Sequence, residues 1–331
     1  MVAARVAIAL ALLGAAGCVP DLGGYEVVGA GGPLDCDLTR PTLSVVVTGG
    51  RALAVEIVEL GDVPRPCGRL GDVEPLHEGH AAATFVPGTP LLALASAATW
   101  EAVHLGTGRV AVRRASDGLG VGLDGFALFD GARWLAVFPA DAGRTATEDV
   151  ESLFFFDVRE PAASRVELPS QIGLGALGAT PDCTVDPLDP MAMLCIRGGL
   201  SSDPAAAIEV RPFSAGFTPT VRVRGPEGVR FDRISSYPGG RIAWRGRQGS
   251  DGPLGYWLGD AEGGELRGPY ACPQCAVVGD VVPDPARADG FYLSCADAAG
   301  LGIVLRADPT QCAIVHSVGT GTPYDLSLRL P

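Results

Sequence analysis

Apolar residues in this chain come in short alternating or clustered runs bounded by Gly, Pro and Asp, the pattern of many brief β-strands. Five segments share one form: a short strand, a tight turn holding Pro, Gly or Asp, then an apolar strand. They are ATFVPGTPLLALAS from Ala83, FALFDGARWLAVFP from Phe126, CTVDPLDPMAMLCI from Cys183, ISSYPGGRIAWRGR from Ile234 and VVPDPARADGFYLSC from Val281. Each is followed by a second hairpin: WEAVHLGTGRVAVRR from Trp100, LFFFDVREPAASRVEL from Leu153, AIEVRPFSAGFTPTVRV from Ala207, GYWLGDAEGGELRGPY from Gly255 and GIVLRADPTQCAIVHSV from Gly302. A further hairpin of the second kind, VVVTGGRALAVEIVEL from Val45, precedes them all. The second hairpins start 55, 53, 54, 48 and 47 residues apart. Two hairpins per period of about 50 residues make four strands per repeat, the form of a β-propeller blade. The expected fold is therefore all-β, a propeller of six blades of four antiparallel strands over residues 36–331. The Ala- and Leu-rich run Leu91–Leu105 has helical propensity, but its place in the repeat assigns it to strands. Six second hairpins against five first ones leave the first blade short. The segment TPYDLSLRLP from Thr322 is expected to complete it, with Leu326, Leu328 and Leu330 alternating on one face.

The clearest repeat, YPGGRIAW from Tyr237 followed by GYWLGD from Gly255, resembles the TolB-type propeller repeat. That repeat has a Pro-Asp/Gly-Gly turn, an Arg-Ile-Ala-aromatic strand and an aromatic strand ending in Asp. The resemblance implies architecture and carries no activity with it.

Ahead of the repeats, Val6–Gly17 run twelve residues without a charge behind Arg5. As a helix they would span roughly 18 Å against a hydrocarbon core of ~30 Å, which suits a signal-peptide core and is too short for a membrane span. The run ends Leu13-Gly14-Ala15-Ala16-Gly17-Cys18, which resembles the bacterial lipobox, with Ala15 where that family prefers Leu. The resemblance implies that residues 1–17 are a lipoprotein signal peptide cut before Cys18 and that the Cys18 thiol is lipidated, with the new amino terminus acylated as well. Residues 18–35, rich in Gly and Pro, then read as a lipid-anchored flexible linker. Val19 stands where some lipoproteins carry the Asp that retains them at the inner membrane, which favours the outer membrane.

Lipidation of Cys18 leaves eight of the nine cysteines, an even set for an oxidising compartment. Cys183 and Cys195 lie symmetrically about Asp189, and Cys275 and Cys295 about Pro285, so both pairs are expected as cross-strand bridges. Cys272 with Cys312 and Cys36 with Cys67 remain. The spacing Cys272-Pro273-Gln274-Cys275 also allows a redox motif or, with Cys295 and Cys312, a four-thiolate zinc site. Its Gly-, Pro- and Val-rich flanks and the lack of a second Cys-x-x-Cys favour structural disulfides.

Composition removes several chemistries. Apolar residues at 47% and charged ones at 19% are enough for a packed core, and a formal charge of −13 opposes binding to nucleic acid. All 25 basic residues are Arg, and there is neither Lys nor Asn. A phosphate-loop lysine, a pyridoxal Schiff base, a Ser-Lys dyad and N-glycosylation are thereby excluded. His77-Glu78-Gly79-His80 lacks zincin spacing and reads as a solvated loop. Asp182, Asp186 and Asp189 among Pro181, Pro187 and Pro190 read as turn residues before calcium ligands. Ser116-Asp117-Gly118 is only a fragment of a sialidase-type turn, and no Gly-x-Ser-x-Gly elbow occurs.

The expectation is an exported, membrane-anchored propeller without metal or cofactor, acting as a non-catalytic binding or scaffold module for an envelope protein or glycan. The alternative is a propeller hydrolase or lyase with a carboxylate or metal site in the central channel. An enzyme is expected to gather three or more ionisable side chains there, and a scaffold to line it with small and apolar ones.

Overall fold

Short apolar runs separated by turn residues cannot each bury a face alone, so they must pair into sheets and stack. The structure, a computed structural model, describes residues 34–49, 52–73, 82–85, 90–95, 99–106, 108–115, 123–129, 134–139, 154–157, 166–167, 183–196, 206–210, 220–237, 239–249, 251–264, 266–319 and 322–331. Among these residues there is no helix.

The strands are β1 (Thr42–Gly49), β2 (Ala52–Glu59) and β3 (Arg65–Val73), followed by β4 (Ala82–Phe85), β5 (Leu91–Ala95), β6 (Thr99–His104) and β7 (Arg109–Ala115). Next come β8 (Leu123–Phe129), β9 (Trp134–Pro139), β10 (Phe154–Asp157) and β11 (Val166–Glu167). The next sheet takes β12 (Cys183–Asp186), β13 (Asp189–Ile196), β14 (Ala206–Val210) and β15 (Thr220–Arg224). It is followed by β16 (Val229–Tyr237), β17 (Arg241–Gln248), β18 (Leu254–Asp260) and β19 (Arg267–Tyr270). The last strands are β20 (Val277–Pro283), β21 (Phe291–Ala296), β22 (Gly302–Asp308), β23 (Gln311–Gly319) and β24 (Thr322–Arg329).

Among the described residues these make six four-stranded antiparallel sheets, five of them consecutive in sequence and the sixth ordered β24-β1-β2-β3. We number the sheets in chain order, the first being the one that holds β1. One edge strand of each sheet touches its counterpart in the next, in the cyclic order β24, β4, β8, β12, β16, β20 and back to β24.

The first sheet corrects one expectation. The hairpin from Val45 supplies the second and third strands of its sheet, after β24, and the fourth is β3, which the repeat pattern did not contain. Pro66, Gly68 and Gly71 sit within β3, and its ladder with β2 shifts register twice, so its sequence reads as loop. β24 pairs with β1 from Thr42↔Arg329 to Thr48↔Thr322. Leu326 is buried and Leu328 packs against the same cluster, as their alternation requires.

Apolar cores lie between successive sheets. Leu194, Phe231, Ile234, Trp244 and Trp257 join the fourth sheet to the fifth. Tyr256, Val281, Phe291 and Leu305 join the fifth to the sixth, and Leu43, Val45, Val282, Tyr292 and Leu326 join the sixth to the first. With no Asn available, Asp builds the tight turns: Asp37, Asp186, Asp284, Asp297 and Asp308 each accept a hydrogen bond from the backbone N–H two residues on.

The chain is already packed two residues before Cys36. Leu34 is buried, and Asp35 N–H donates to the Cys67 carbonyl. Leu34 lies so close to β3 that a Cβ on Gly68 would stand 2.0 Å from its Cδ2, so only glycine fits there.

Candidate functional site

Among the described residues neighbouring sheets share no backbone ladder, so what joins their inner strands must come from side chains. Polar residues on those strands supply it. Ser236 Oγ donates to the Val185 carbonyl at 2.6 Å, and Ser236 N–H donates to Thr184 Oγ1 at 3.2 Å, tying β16 to β12. Ser235 Oγ donates to the Val281 carbonyl, tying β16 to β20. Phe85 N–H donates to Ser327 Oγ at 3.0 Å, tying β4 to β24.

Two carboxyls complete the series. Asp280 is 6% exposed; its Oδ1 accepts from Val281 N–H at 2.8 Å and its Oδ2 from Leu326 N–H at 3.0 Å, a bond from β20 to β24. Asp325, on β24, accepts from Ala83 N–H of β4 at 3.0 Å. Gly279 permits this approach: a Cβ there would stand 2.5 Å from the Pro323 carbonyl oxygen. Burial, and after it the charge of Asp280, holds the Asp325 carboxyl well above its ordinary range, with the positive charge of Arg233 on β16 acting the other way. A hydrogen bond between the Asp325 and Asp280 side chains acts in the same direction as burial, because it favours the protonated form of Asp325.

This gives a pH dependence of definite sign. A carboxyl whose folded pKa is raised binds more proton in the folded than in the unfolded chain. Its contribution is fully present below the ordinary value of 3.8 and is lost as pH rises through the raised folded value. Asp325→Asn keeps a donor toward Asp280 and an acceptor for Ala83 N–H without the titration. The denaturation midpoint of the wild type should therefore fall more steeply with rising pH above the ordinary carboxylate range than that of Asp325→Asn, and equal slopes would refute the raised pKa of Asp325.

A second device recurs where inner strands end. Asp186 closes β12 with one carboxylate oxygen taking Leu188 N–H at 2.9 Å and the other 2.9 Å from Arg222 Nη1. Asp284 follows β20, fully buried, with Arg306 Nε at 2.6 Å and Ala286 N–H at 2.8 Å. Burial, with the Asp284 charge next, pushes the neighbouring Tyr292 phenol up to about 12. An arginine thus stands where a calcium ion at Asp186 would have to bind.

Three disulfides join Cys36 to Cys67, Cys272 to Cys312 and Cys275 to Cys295. Cys195 is disulfide-bonded, and Cys183 lies directly opposite it in the β12–β13 ladder. The Cys275–Cys295 bridge corrects the expected register: Val278, not Cys275, opposes Cys295. The connection from Pro283 to Phe291 is longer than a tight turn about Pro285, which leaves Cys275 in the loop before β20, where its N–H bonds the Cys272 carbonyl. The Cys-x-x-Cys pair is split between two bridges, so in this structure its thiols are available neither to zinc nor for exchange with each other.

Cys18, His77-Glu78-Gly79-His80, Ser116-Asp117-Gly118 and Asp182 lie outside the described residues. Among the described residues no three His, Cys, Asp or Glu side chains gather as a metal set, and no helix is long and apolar enough to cross a membrane. Asp280, Asp325 and Arg233 were not singled out in the sequence. The available signal was a lone Asp inside an apolar run, Val277-Val278-Gly279-Asp280-Val281-Val282, because a carboxylate in a buried strand needs a partner.

No protein-family model matches the chain, and no curated protein matches it in sequence. Solved structures do match in shape. A chain of the nidogen/laminin complex superposes with a TM-score of 0.54 at 11% identity, over 87% of this chain and 98% of that one. A putative TolB from Agrobacterium tumefaciens superposes with a TM-score of 0.53 at 12% identity, over 86% of this chain and 91% of that one. Both are β-propellers, and at these identities the likeness establishes the fold alone: this chain is a β-propeller.

Proposed function

We propose that the chain is an exported, lipid-anchored β-propeller of six blades that acts as a non-catalytic binding or scaffold module for a protein or glycan partner in the bacterial cell envelope. The six four-stranded sheets, the cyclic order of their inner strands and the β24–β1 ladder support six blades joined into a ring. The disulfides support an oxidising compartment. The ending at Cys18 supports the lipid anchor, with the outer membrane favoured by Val19.

The observation that carries the non-catalytic reading is how the inner strands use their polar groups. Asp280, Asp325 and Arg233 do bring three ionisable residues to the inner ring, as an enzyme requires. Yet the described carboxylate contacts go to strand amides, and the hydroxyls of Ser235, Ser236 and Ser327 go to neighbouring strands. Groups spent in this way hold the ring together and leave little to act on a substrate. The nidogen/laminin relative was itself solved within a protein–protein complex, a role of the kind proposed.

The second reading, a hydrolase or lyase, rests on the Asp280–Asp325 pair, since a buried carboxyl held above its ordinary range can serve as a general acid. One experiment with two arms tests the whole proposal. Radiolabelled palmitate fed to an expressing bacterium should enter the wild type and not Cys18→Ser; label persisting in the variant removes the anchor. Water-soluble carbodiimide with a small amine, read by mass spectrometry on the native protein, should leave Asp280 and Asp325 unmodified. Rapid modification of both would transfer the assignment to the enzyme.

A further inference from the structure

The outermost strand of a blade exposes one edge of backbone N–H and C=O groups, and proteins blunt such edges with charge, Pro or short length. Most outer strands here follow that rule. β3 carries Arg65, Pro66, Arg69 and Asp72, β7 carries Arg109, Arg113 and Arg114, and β15 carries Arg222 and Arg224. β19 has four residues including Arg267 and Pro269, and β11 has two residues. β23 breaks the rule: its nine residues, QCAIVHSVG, hold no Arg, Asp, Glu or Pro. His316, its one titratable side chain, is turned to Glu56 of the first sheet at 2.6 Å. Ile314 stands 59% exposed, and among the described residues β23 pairs only with β22. The strand is also held in place, because the Cys272–Cys312 disulfide fixes its start and Gln274 Nε2 caps the Cys312 carbonyl.

We propose that the open edge of β23, over residues 313–318, is the docking site for an extended, apolar strand of a partner protein with net positive charge around it. It rests on reading the chain as a binding module and names the partner's chemistry. Charge selects the occupant. Asp297, whose carboxylate is held by the Ala299 and Leu301 amides, lies at the end of the sheet where Gly302 opposes Gly319, whereas Asp308, before β23, is already paired with Arg287 at 3.3 Å. The whole chain carries −13, which opposes a second copy and favours a cationic partner. Leu34, where the described chain begins, sits on β3 and near Gly108 just before β7 in the second sheet, on the far side of the first sheet from β23. Main-chain bonding along the edge supplies affinity, and Ile314 supplies an apolar contact.

The probe is a synthetic peptide of alternating Thr and Val with a Lys pair at each end, titrated by fluorescence anisotropy against the full mature chain bearing Cys18→Ser. Glu-flanked and singly N-methylated versions accompany it, the latter methylated on the backbone at odd or at even residues. We expect the Lys-flanked peptide to bind, with a loss of about tenfold or more for the Glu-flanked peptide, for one of the two N-methylated isomers, and for Ile314→Arg. Ile314→Arg should melt as the wild type does, because the side chain is exposed; Ser317→Arg provides a second variant on the same edge. Equal loss with both N-methylated isomers, or no effect of Ile314→Arg and Ser317→Arg, overturns the strand-addition site. Concentration-dependent dimerisation abolished by Ile314→Arg, without peptide binding, assigns the edge to a second copy and also overturns it. So does binding that appears only when residues 19–33 are deleted. Photo-crosslinking to an envelope partner that persists unchanged in Ile314→Arg would sink the β23 site while leaving the binding-module reading standing.

Discussion

Deleting residues 322–331 should abolish the cooperative thermal transition and drive the protein into aggregates. The segment supplies β24, an inner strand that pairs along the length of β1. Its loss uncovers the apolar cluster of Leu43, Val45, Val282 and Tyr292 on which Leu326 and Leu328 sit, and each buried Leu is worth ~1.5–3 kcal/mol. It also strips the Asp280 carboxylate of the Leu326 amide and leaves the Ala83 and Phe85 amides without acceptors, at ~1–3 kcal/mol for each orphaned group. Together these approach the ~5–15 kcal/mol stability of an ordinary domain. The bare edge of β1, with Val45, Val46 and Val47 in a row, adds an aggregation template. Calorimetry and light scattering provide the measurement. A truncated chain that melts cooperatively within a few degrees of the full one would show that β24 is dispensable to the fold.

Trp244→Ala should have the next largest effect, about 3–5 kcal/mol. The side chain is fully buried between the fourth and fifth sheets, directly opposite Trp257 in the β17–β18 ladder. Phe231 lies with its ring centroid 4.5 Å from Trp244 and 5.2 Å from Trp257, edge-on to the latter, so removing one ring disturbs contacts with two others. The melting temperature should drop by roughly ten degrees for a loss of this size. Trp244→Phe should cost much less, because the Nε1 of Trp244 is buried without an acceptor among the described residues, and losing that donor offsets part of the lost packing. If both substitutions have the same small effect, the inter-sheet aromatic core is not what holds these two sheets together.

The hairpins were legible because turn chemistry is local. Pro, Gly and Asp at Asp186–Asp189, Tyr237–Arg241 and Pro283–Phe291 mark reversals that need no knowledge of the rest of the chain. β3 was hidden because Pro66, Gly68 and Gly71 argue for a loop, and only the neighbouring β2 and the Leu34 side chain make a strand of it. The Cys275–Cys295 register was misjudged because the connection length after Pro283 is set by the packed Asp284 turn and its arginines. The Asp280–Asp325 pair escaped for a different reason. It is assembled from two strands that are remote along the sequence, and its burial depends on a third, β4, whose Ala83 amide lies 242 residues from the carboxylate it binds. No spacing rule in a single sequence connects such positions.

The shared sheet of β1 and β24 has a consequence for biosynthesis. A polypeptide emerges from the ribosome, or from an export channel, with its N-terminal part first. Sheets two to six can each assemble from a contiguous stretch as it appears, but the first must wait for β24, and the bond from Arg329 to the Leu38 carbonyl spans 291 residues. For most of the time the chain is being made, β1 stands with one side unpaired. A product interrupted anywhere before β24 therefore stays recognisably unfinished to chaperones and proteases. Pairing of β24 with β1 thus marks a chain that has been made at least as far as Arg329.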